Sequence, residues 1–247
     1  MAAPRLRGAG PRLRVAALSL TVATLIAAPT GLAAADSAAA HGRAPAADMA
    51  EASQQVKVSV KTLLGQLAVE PEDGTGYDRD LFPHWDYVGD GCDVRDAVLI
   101  DEARRGPRMG DDCDIERGRW YSKFDGVTVH DPSALDIDHL VALSEAWASG
   151  ARDWTESTRR AYANDLGYNA SLMAVTASSN RSKGDQDPAE WLPPRHQYRC
   201  TYVATWIAVK YRWSLSIDER ESAALRVLVE GCAPLRVVRP ARAPTAG

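Results

Sequence analysis

The sequence lacks an apolar run long enough to span a membrane. The run from Val15 to Ala28 has 14 residues, whereas a membrane-spanning helix needs about 20, and no later segment approaches that length. Glycine and proline, at 18 and 14 of 247 residues, are too scarce for a collagen-like or low-complexity polymer. With 45% hydrophobic and 25% charged residues, the composition is that of an ordinary globular protein.

An acidic side chain is missing from the first 35 residues, which instead carry four arginines ahead of the apolar run and end on Ala33-Ala34-Ala35. This order is typical of a secretory signal peptide, so we predict that residues 1–35 are removed and that the protein is secreted, without stable membrane association. Loss of four positive charges takes the formal net charge from −4 to −8. An acidic protein is not suited to coating nucleic acid nonspecifically, because that binding depends on Lys and Arg; a small local site remains compatible.

The chain has only four cysteines and no C-x-x-C pair of the kind that binds structural zinc. In an exported protein the default is two disulfides, for which three connectivities exist. The order along the chain favours the nearest-neighbour pairs, Cys92 with Cys113 and Cys200 with Cys232, and four free buried cysteines are the alternative.

Apolar periodicity is absent from both ends of the mature chain. Residues 36–51 are mostly alanine with scattered polar residues, and residues 234–247 carry three prolines among arginines, so we predict a disordered linker and a disordered tail. The seven tryptophans lie between Trp85 and Trp213. A single folded domain over residues 52–233 is therefore expected.

Helical spacing of apolar residues predicts several helices in this domain. One begins near Val56 and ends near Gly74, and one covers residues 155–166 with Thr155 as N-cap. Another spans residues 198–211, and its aromatic stripe favours core packing over base stacking. Ser216 with Glu219 indicates a capping box before the last helix.

Two segments predict strands. Residues 136–141 alternate polar and apolar side chains, and residues 171–176 form a short apolar run. The first contains Asp136, Asp138 and His139, and Asn180-Arg181-Ser182-Lys183-Gly184 follows the second as the start of a helix. An Asp-His pair alone indicates no more than a surface histidine beside an acid. The second strand and the Asn180-Arg181-Ser182-Lys183-Gly184 segment that follows it make a functional site the better interpretation.

This order of strand, strand and helix resembles the ββα-metal core of HNH endonucleases. From about Cys92 to Cys232 the chain is similar to the C-terminal domain of GmrSD-type restriction enzymes, which also occurs as a secreted HNH endonuclease. The resemblance implies a helix-rich α+β fold in which added helices and two disulfides surround an HNH core. Further segments that carry it are Gly118-Arg119-Trp120, Glu145-Ala146-Trp147, Ala163-Asn164-Asp165-Leu166 and Asp187-Pro188-Ala189-Glu190-Trp191.

The resemblance assigns metal binding to Asp138 and Asn180 and catalysis to His139. One carboxylate and one amide oxygen leave most of a coordination shell to water and phosphate, which suits Mg²⁺, with Mn²⁺ as a second choice. A histidine near its unperturbed pKa can accept a proton from water. Because consecutive strand residues face opposite ways, we expect an irregularity at positions 138 and 139.

Three further residues belong to the predicted site. Lys183, one helical turn after Asn180, is predicted to place an ammonium beside the metal-bound phosphate, with a solvated surface lysine as the alternative. Asp136 orients a site residue or is purely structural. Ser171 stands where the family has the middle Asn that holds the loop between the strands, and it or Asn169 takes over that task.

We therefore predict a secreted, metal-dependent endonuclease that cuts DNA with little sequence preference, with RNA as another possible substrate. The alternative is an exported binding protein on a degenerate HNH scaffold, which Ser171 and the acidic charge favour. A glycan hydrolase using Asp136 and Asp138 is disfavoured, because two carboxylates so close on one strand leave no gap for a sugar bond.

Overall fold

The computed structural model of the protein describes residues 56–245. The predicted signal peptide (1–35) and alanine-rich linker (36–51) lie outside these residues, so both stay predictions. Within residues 56–245 the chain forms seven α-helices and five two-stranded antiparallel sheets. The predicted helix-rich α+β fold is confirmed.

The helices are α1 (Val60–Leu64), α2 (Val94–Glu102), α3 (Leu143–Ala148), α4 (Glu156–Ala163), α5 (Ala177–Lys183), α6 (His196–Trp213) and α7 (Glu219–Glu230). The strands are β1 (Lys57–Ser59), β2 (Tyr87–Gly89), β3 (Cys92–Asp93), β4 (Arg108–Met109), β5 (Ile115–Arg117), β6 (Trp120–Tyr121), β7 (Thr128–Val129), β8 (Leu135–His139), β9 (Leu172–Thr176) and β10 (Arg236–Val238). None of these helices is both long and apolar enough to cross a membrane.

Strands β8 and β9 form the antiparallel pair that carries the predicted site. Their register runs without a break from Leu135 opposite Thr176 to His139 opposite Leu172. The irregularity expected at positions 138 and 139 is the end of the strand at His139, and the register contains no bulge. Helix α5 follows β9 directly and packs on both strands, while α3 and α4 are inserted between the two strands.

The two faces of this pair contact different parts of the core. Leu135 and Ile137 pack with Val98 and Leu99 of α2, whereas Met173 and Val175 join the larger cluster around α6. Alternation along a strand therefore sends Asp136 and Asp138 to the face opposite α2, toward α5. Sequence alternation alone predicted this parity correctly.

Helix α6 is the central element of the larger core. Its stripe of Tyr198, Tyr202, Trp206 and Val209 is buried, which confirms the prediction that it packs in the core. Helix α7 begins differently from the prediction, because Asp218 is its N-cap and accepts from the backbone N–H of Glu221 at 2.6 Å.

The first helix and the tail also differ from the sequence prediction. The helix predicted to begin near Val56 is strand β1 followed by the five-residue α1, because β1 pairs with β10 at the far end of the chain. The tail predicted to be disordered over 234–247 supplies β10, and Ala243 is buried with its N–H donating to the carbonyl of Arg212 at 2.8 Å. The folded domain predicted to end at 233 therefore extends to at least residue 245.

Two disulfides join Cys92 to Cys113 and Cys200 to Cys232, and the described residues contain no free cysteine. The predicted pairing is confirmed. The second bridge ties the start of α6 to the residue that follows α7, across a sequence separation of 32.

Replacing Cys200 and Cys232 together by alanine should lower the free energy of unfolding by about 3 to 4 kcal/mol, because the unfolded chain loses a loop constraint of this length. Thermal unfolding followed by circular dichroism measures the change. Reducing agent should then lower the melting temperature of the double variant less than that of the wild type, since one bridge remains to be broken. Equal melting temperatures for wild type and variant would contradict a stabilising role for this bridge.

Candidate active site

Asp138 lies near the end of β8 and is only 3% exposed. Its Oδ1 accepts from the Nζ of Lys183 at 2.7 Å, and its Oδ2 is buried without a hydrogen-bond partner among the described residues. Burial raises the pKa of Asp138, and the Lys183 ammonium opposes that shift. A buried carboxylate oxygen without a donor is costly, so it marks a place where a cation would be stabilised.

Asn180 lies within α5, above Asp136 of β8. Its Nδ2 donates to Oδ2 of Asp136 at 3.2 Å. Because a carboxylate can only accept, this contact fixes which end of the Asn180 amide faces Asp136 and leaves the amide oxygen for another partner. The motif that was predicted to open a helix instead closes one, since α5 begins at Ala177 and ends at Lys183.

His139 is the last residue of β8 and is 7% exposed. Its Nε2 lies 2.9 Å from the carbonyl oxygen of Ala163, at the end of α4. A carbonyl cannot donate, so Nε2 carries the proton and Nδ1 is left as the acceptor. Burial lowers the pKa of His139 to about 3, and the ring is therefore neutral at ordinary pH.

These three side chains share one cavity of about 260 Å³. His139 belongs to the opposite face of the strand from Asp138, and both reach the cavity because the strand ends there. The lining includes Asp138, His139 and Asn180 together with Tyr77, Arg79, Ser144, Arg181 and Asp185. The structure thus brings together the residues to which the sequence assigned metal binding and proton transfer.

Lys183 does not occupy the position predicted for it. The side chain is 0% exposed, and its Nζ donates to Oδ1 of Asp138 and, at 3.0 Å, to the carbonyl oxygen of His139. It is neither a solvated surface lysine nor an ammonium that faces a bound phosphate. The last turn of α5 packs against the end of β8, and this packing turns the lysine inward.

Ser171 directly precedes β9 and is buried. Its hydroxyl donates to Oδ2 of Asp165 at 2.7 Å, and Asp165 also accepts from Arg212 and from the indole N–H of Trp213. The loop between α4 and β9 is thus anchored through Asp165. Asn169, the other residue considered for this task, is exposed.

Sequence reasoning missed the contribution of residues 77–85. Arg79 lines the cavity, and the ring of Trp85 packs against His139 with centroids 5.8 Å apart. The available signal was the cluster of charged and aromatic residues in Asp78-Arg79-Asp80-Leu81-Phe82-Pro83-His84-Trp85, which has no helical or strand periodicity.

A second group of acids lies around Lys210 of α6. Glu72, Glu145 and Glu221 are the one set of acidic, histidine or cysteine ligand atoms close enough to hold a cation within residues 56–245. Lys210 is fully buried and donates to Glu145 and Glu221 at 2.5 and 2.8 Å, so it already neutralises part of this charge. Burial raises the pKa of Glu72 to about 8 and that of Glu221 to about 7.

Comparison with known proteins identifies relatives of this chain. A family profile described as GmrSD restriction endonucleases, C-terminal domain, matches residues 101–227. A protein from Arthroderma benhamiae, described as an uncharacterized secreted protein, is 42% identical over 175 residues, which make up 70% of this chain and 85% of that protein. No solved structure matches significantly. The secreted relative and the two disulfides confirm the prediction that the protein is secreted.

The acids around Lys210 should make the protein less stable as the pH rises. Glu72 and Glu221 keep their protons in the folded state at pH values where the unfolded chain, with a pKa of 4.5, has released them. Stability from this source is therefore complete below about pH 4.5 and is lost as the pH rises toward 8. Calorimetry at about pH 5.5, 7 and 8.5 should show a falling melting temperature.

Glu72→Gln should make that fall shallower, because one of the shifted carboxyl groups is gone. The charged groups that face Glu72 are Glu145, Lys210, Asp218 and Glu221, and all remain in this variant. Glu70→Gln, at an exposed position two residues earlier, is the matched control and should keep the wild-type slope. If the melting temperature of Glu72→Gln falls with pH as steeply as that of the wild type, Glu72 is not a source of this pH dependence.

Proposed function

Because the chain belongs to the family of the GmrSD restriction endonuclease C-terminal domain, we propose that it is a secreted, metal-dependent endonuclease of the HNH type that hydrolyses DNA with little sequence preference. Family membership by itself makes it a nuclease-family protein with nucleic acid as substrate. The finer statement depends on the cavity at the end of β8.

One observation carries the proposal: Asp138, whose Oδ2 is buried without a hydrogen-bond partner among the described residues, lines the same cavity as Asn180 and His139. Two antiparallel strands followed at once by a helix supply these residues, which is the order that the HNH resemblance implies. A buried acid, an amide oxygen and a neutral imidazole are the groups that metal-assisted hydrolysis requires.

The donor set fits a hard divalent cation. Asp138 Oδ2 and the amide oxygen of Asn180 are the two protein ligands that we assign, and both are oxygens, as Mg²⁺ and Mn²⁺ prefer. When bound, such an ion neutralises charge at the phosphate and stabilises the departing 3′ oxygen. Lys183 holds Oδ1 of the same carboxylate, so Oδ2 remains for the ion.

His139 is the proposed general base. Its proton on Nε2 is held by the Ala163 carbonyl, so Nδ1 can accept a proton from the attacking water without a change of tautomer. Asp136 then acts as a positioning residue, because it accepts from the amide N–H of Asn180 and so leaves the amide oxygen for the ion.

The proposed low preference for DNA sequence follows from the two arginines that line the cavity. Arg79 and Arg181 are the cationic side chains on its wall, and arginine contacts to phosphate bind the backbone without reading the bases. The acidic net charge elsewhere limits binding to this local site.

The rival is a binding protein in which Lys183 takes over the charge balance of Asp138. The buried ion pair between them favours this interpretation, since an ammonium already contacts the carboxylate. Metal-dependent nicking of supercoiled plasmid by the purified protein decides between the two, and RNA and single-stranded DNA in parallel reactions define the substrate.

His139→Ala should lower the rate of plasmid nicking by about 10²- to 10⁴-fold, which is what a general base contributes. Metal binding should stay near its wild-type value, because the imidazole is not one of the assigned ligands. The melting temperature should fall, because the variant loses the buried hydrogen bond to Ala163, and its measurement establishes that the variant is folded at the assay temperature. His196→Ala, at an exposed position at the start of α6, is the matched control and should cut at the wild-type rate. A folded His139→Ala protein that cuts as fast as the wild type would exclude His139 as the base.

Asp138→Asn should raise the Mg²⁺ or Mn²⁺ concentration needed for half-maximal nicking by about tenfold or more, because a charged ligand becomes a neutral one. The amide keeps the size of the carboxylate and can still accept from Lys183, but it leaves the Lys183 ammonium buried without a counter-charge, so circular dichroism first establishes that the variant is folded. Titration of each ion, with EDTA as the blank, measures the effect. Stoichiometric zinc that survives EDTA dialysis, or an unchanged metal requirement, would contradict the ligand assignment.

A further inference from the structure

Trp85 lies outside the segment that matches the family profile, yet it packs on the candidate base. Its ring centroid is 5.8 Å from that of His139, and the ring of Tyr162 lies 6.4 Å from His139 and is nearly parallel to it. We infer that Trp85 is a positioning residue, which holds the His139 imidazole in the orientation that general-base catalysis needs. This inference rests on the proposed nuclease function.

The backbone conformation of Trp85 is one that is common at functional sites. Its φ is 64°, in the left-handed region that a bulky residue rarely adopts. Such a conformation persists only where surrounding contacts impose it, and these positions cluster at functional sites. A glycine or an asparagine would adopt this conformation at lower cost, so the contacts that surround Trp85 hold it there.

Those surrounding contacts come from the end of α4. Asn164 Nδ2 donates to the carbonyl oxygen of Pro83 at 2.9 Å, and Asn164 Oδ1 accepts from the N–H of Asp86 at 2.9 Å. The two bonds bracket Trp85 on both sides along the chain. An ion pair between Arg160 and Asp86 at 2.7 Å adds a third connection.

The same turn of α4 therefore fixes the imidazole in two ways. Ala163 accepts the proton of Nε2 directly, and the adjacent Asn164 holds the loop that presses Trp85 against the ring. Rotation of the imidazole breaks the first contact and changes the second. Trp85 acts only through His139, because the structure gives it no place among the metal ligands.

Two substitutions of Trp85 distinguish packing of an aromatic ring on His139 from burial of any apolar side chain there. Trp85→Phe keeps an aromatic face, and Trp85→Leu keeps an apolar side chain without one. We expect Trp85→Leu to lower kcat for plasmid nicking by about tenfold, since small misplacements of catalytic groups have large effects. KM and the metal requirement should change less than about twofold, and Trp85→Phe should recover most of kcat. Tyr87→Ala, at a 71% exposed position two residues later, at the start of β2, is the control and should keep the wild-type kcat.

A measurement that needs no activity separates this inference from the nuclease proposal. Nitrogen chemical shifts of the His139 ring, assigned by comparison with His139→Gln, report which nitrogen carries the proton. The wild type and Trp85→Phe should show one tautomer, protonated at Nε2, whereas Trp85→Leu should show shifts averaged between the two tautomers. Melting temperatures of all variants establish that each is folded.

The outcomes distinguish a failure of the proposed nuclease function from a failure of the positioning role of Trp85. If the wild type cuts no nucleic acid, the proposed function fails, and the ring shifts still test Trp85. If the wild type cuts and folded Trp85→Leu keeps both its kcat and a single Nε2-protonated tautomer, the positioning role is wrong. A loss of kcat that Trp85→Phe does not recover would also overturn it, because the inference requires an aromatic face.

Discussion

The buried contact between Lys183 and Asp138 organises the centre of this protein. One ammonium, with no exposed surface, donates to the carboxylate of β8 and to the backbone carbonyl of the residue that ends the strand. It thereby ties α5 to β8 and leaves the other carboxylate oxygen, Oδ2, without a partner among the described residues. Such pairs add little net stability, but removal of one partner typically costs about 3 to 5 kcal/mol because the other charge stays buried. The interaction is therefore a constraint on geometry more than a source of stability.

The insertion between β8 and β9 supplies most of what the site needs beyond its strands and helix. Its helix α4 ends at Ala163, whose carbonyl fixes the tautomer of His139, and the next residue, Asn164, brackets the loop of Trp85. The residue after Asn164 is Asp165, whose carboxylate accepts hydrogen bonds from Ser171, Arg212 and the indole of Trp213. The Ser171 hydroxyl therefore anchors this loop, because Asp165 provides a strong acceptor.

A second buried lysine, Lys210, repeats the same principle in the helical core. Glu145 and Glu221 surround its ammonium; burial lowers the pKa of this lysine, but the two carboxylates outweigh that effect and raise it. Both buried lysines lie on helices that pack against acidic residues from other elements. Within residues 56–245, fully buried lysines thus enclose charge in two places, one beside the candidate active site and one that supports the packing of α6 against α3 and α7.

Local sequence was sufficient for features that depend on neighbouring residues: the strand parity of Asp136 and Asp138, the Thr155 cap of α4, the apolar stripe of α6, and disulfides between successive cysteines. It failed where the partner lies far along the chain. Strand β10 pairs with β1 across a separation of about 180 residues, and this pairing made a strand of what apolar spacing assigned to a helix. Lys183 reaches Asp138 across 45 residues and His139 reaches Ala163 across 24. Burial and hydrogen bonding at such distances arise only when the chain is folded, so the tertiary structure alone decided that Lys183 faces inward, which nitrogen of His139 is free, and that Trp85 belongs to the site.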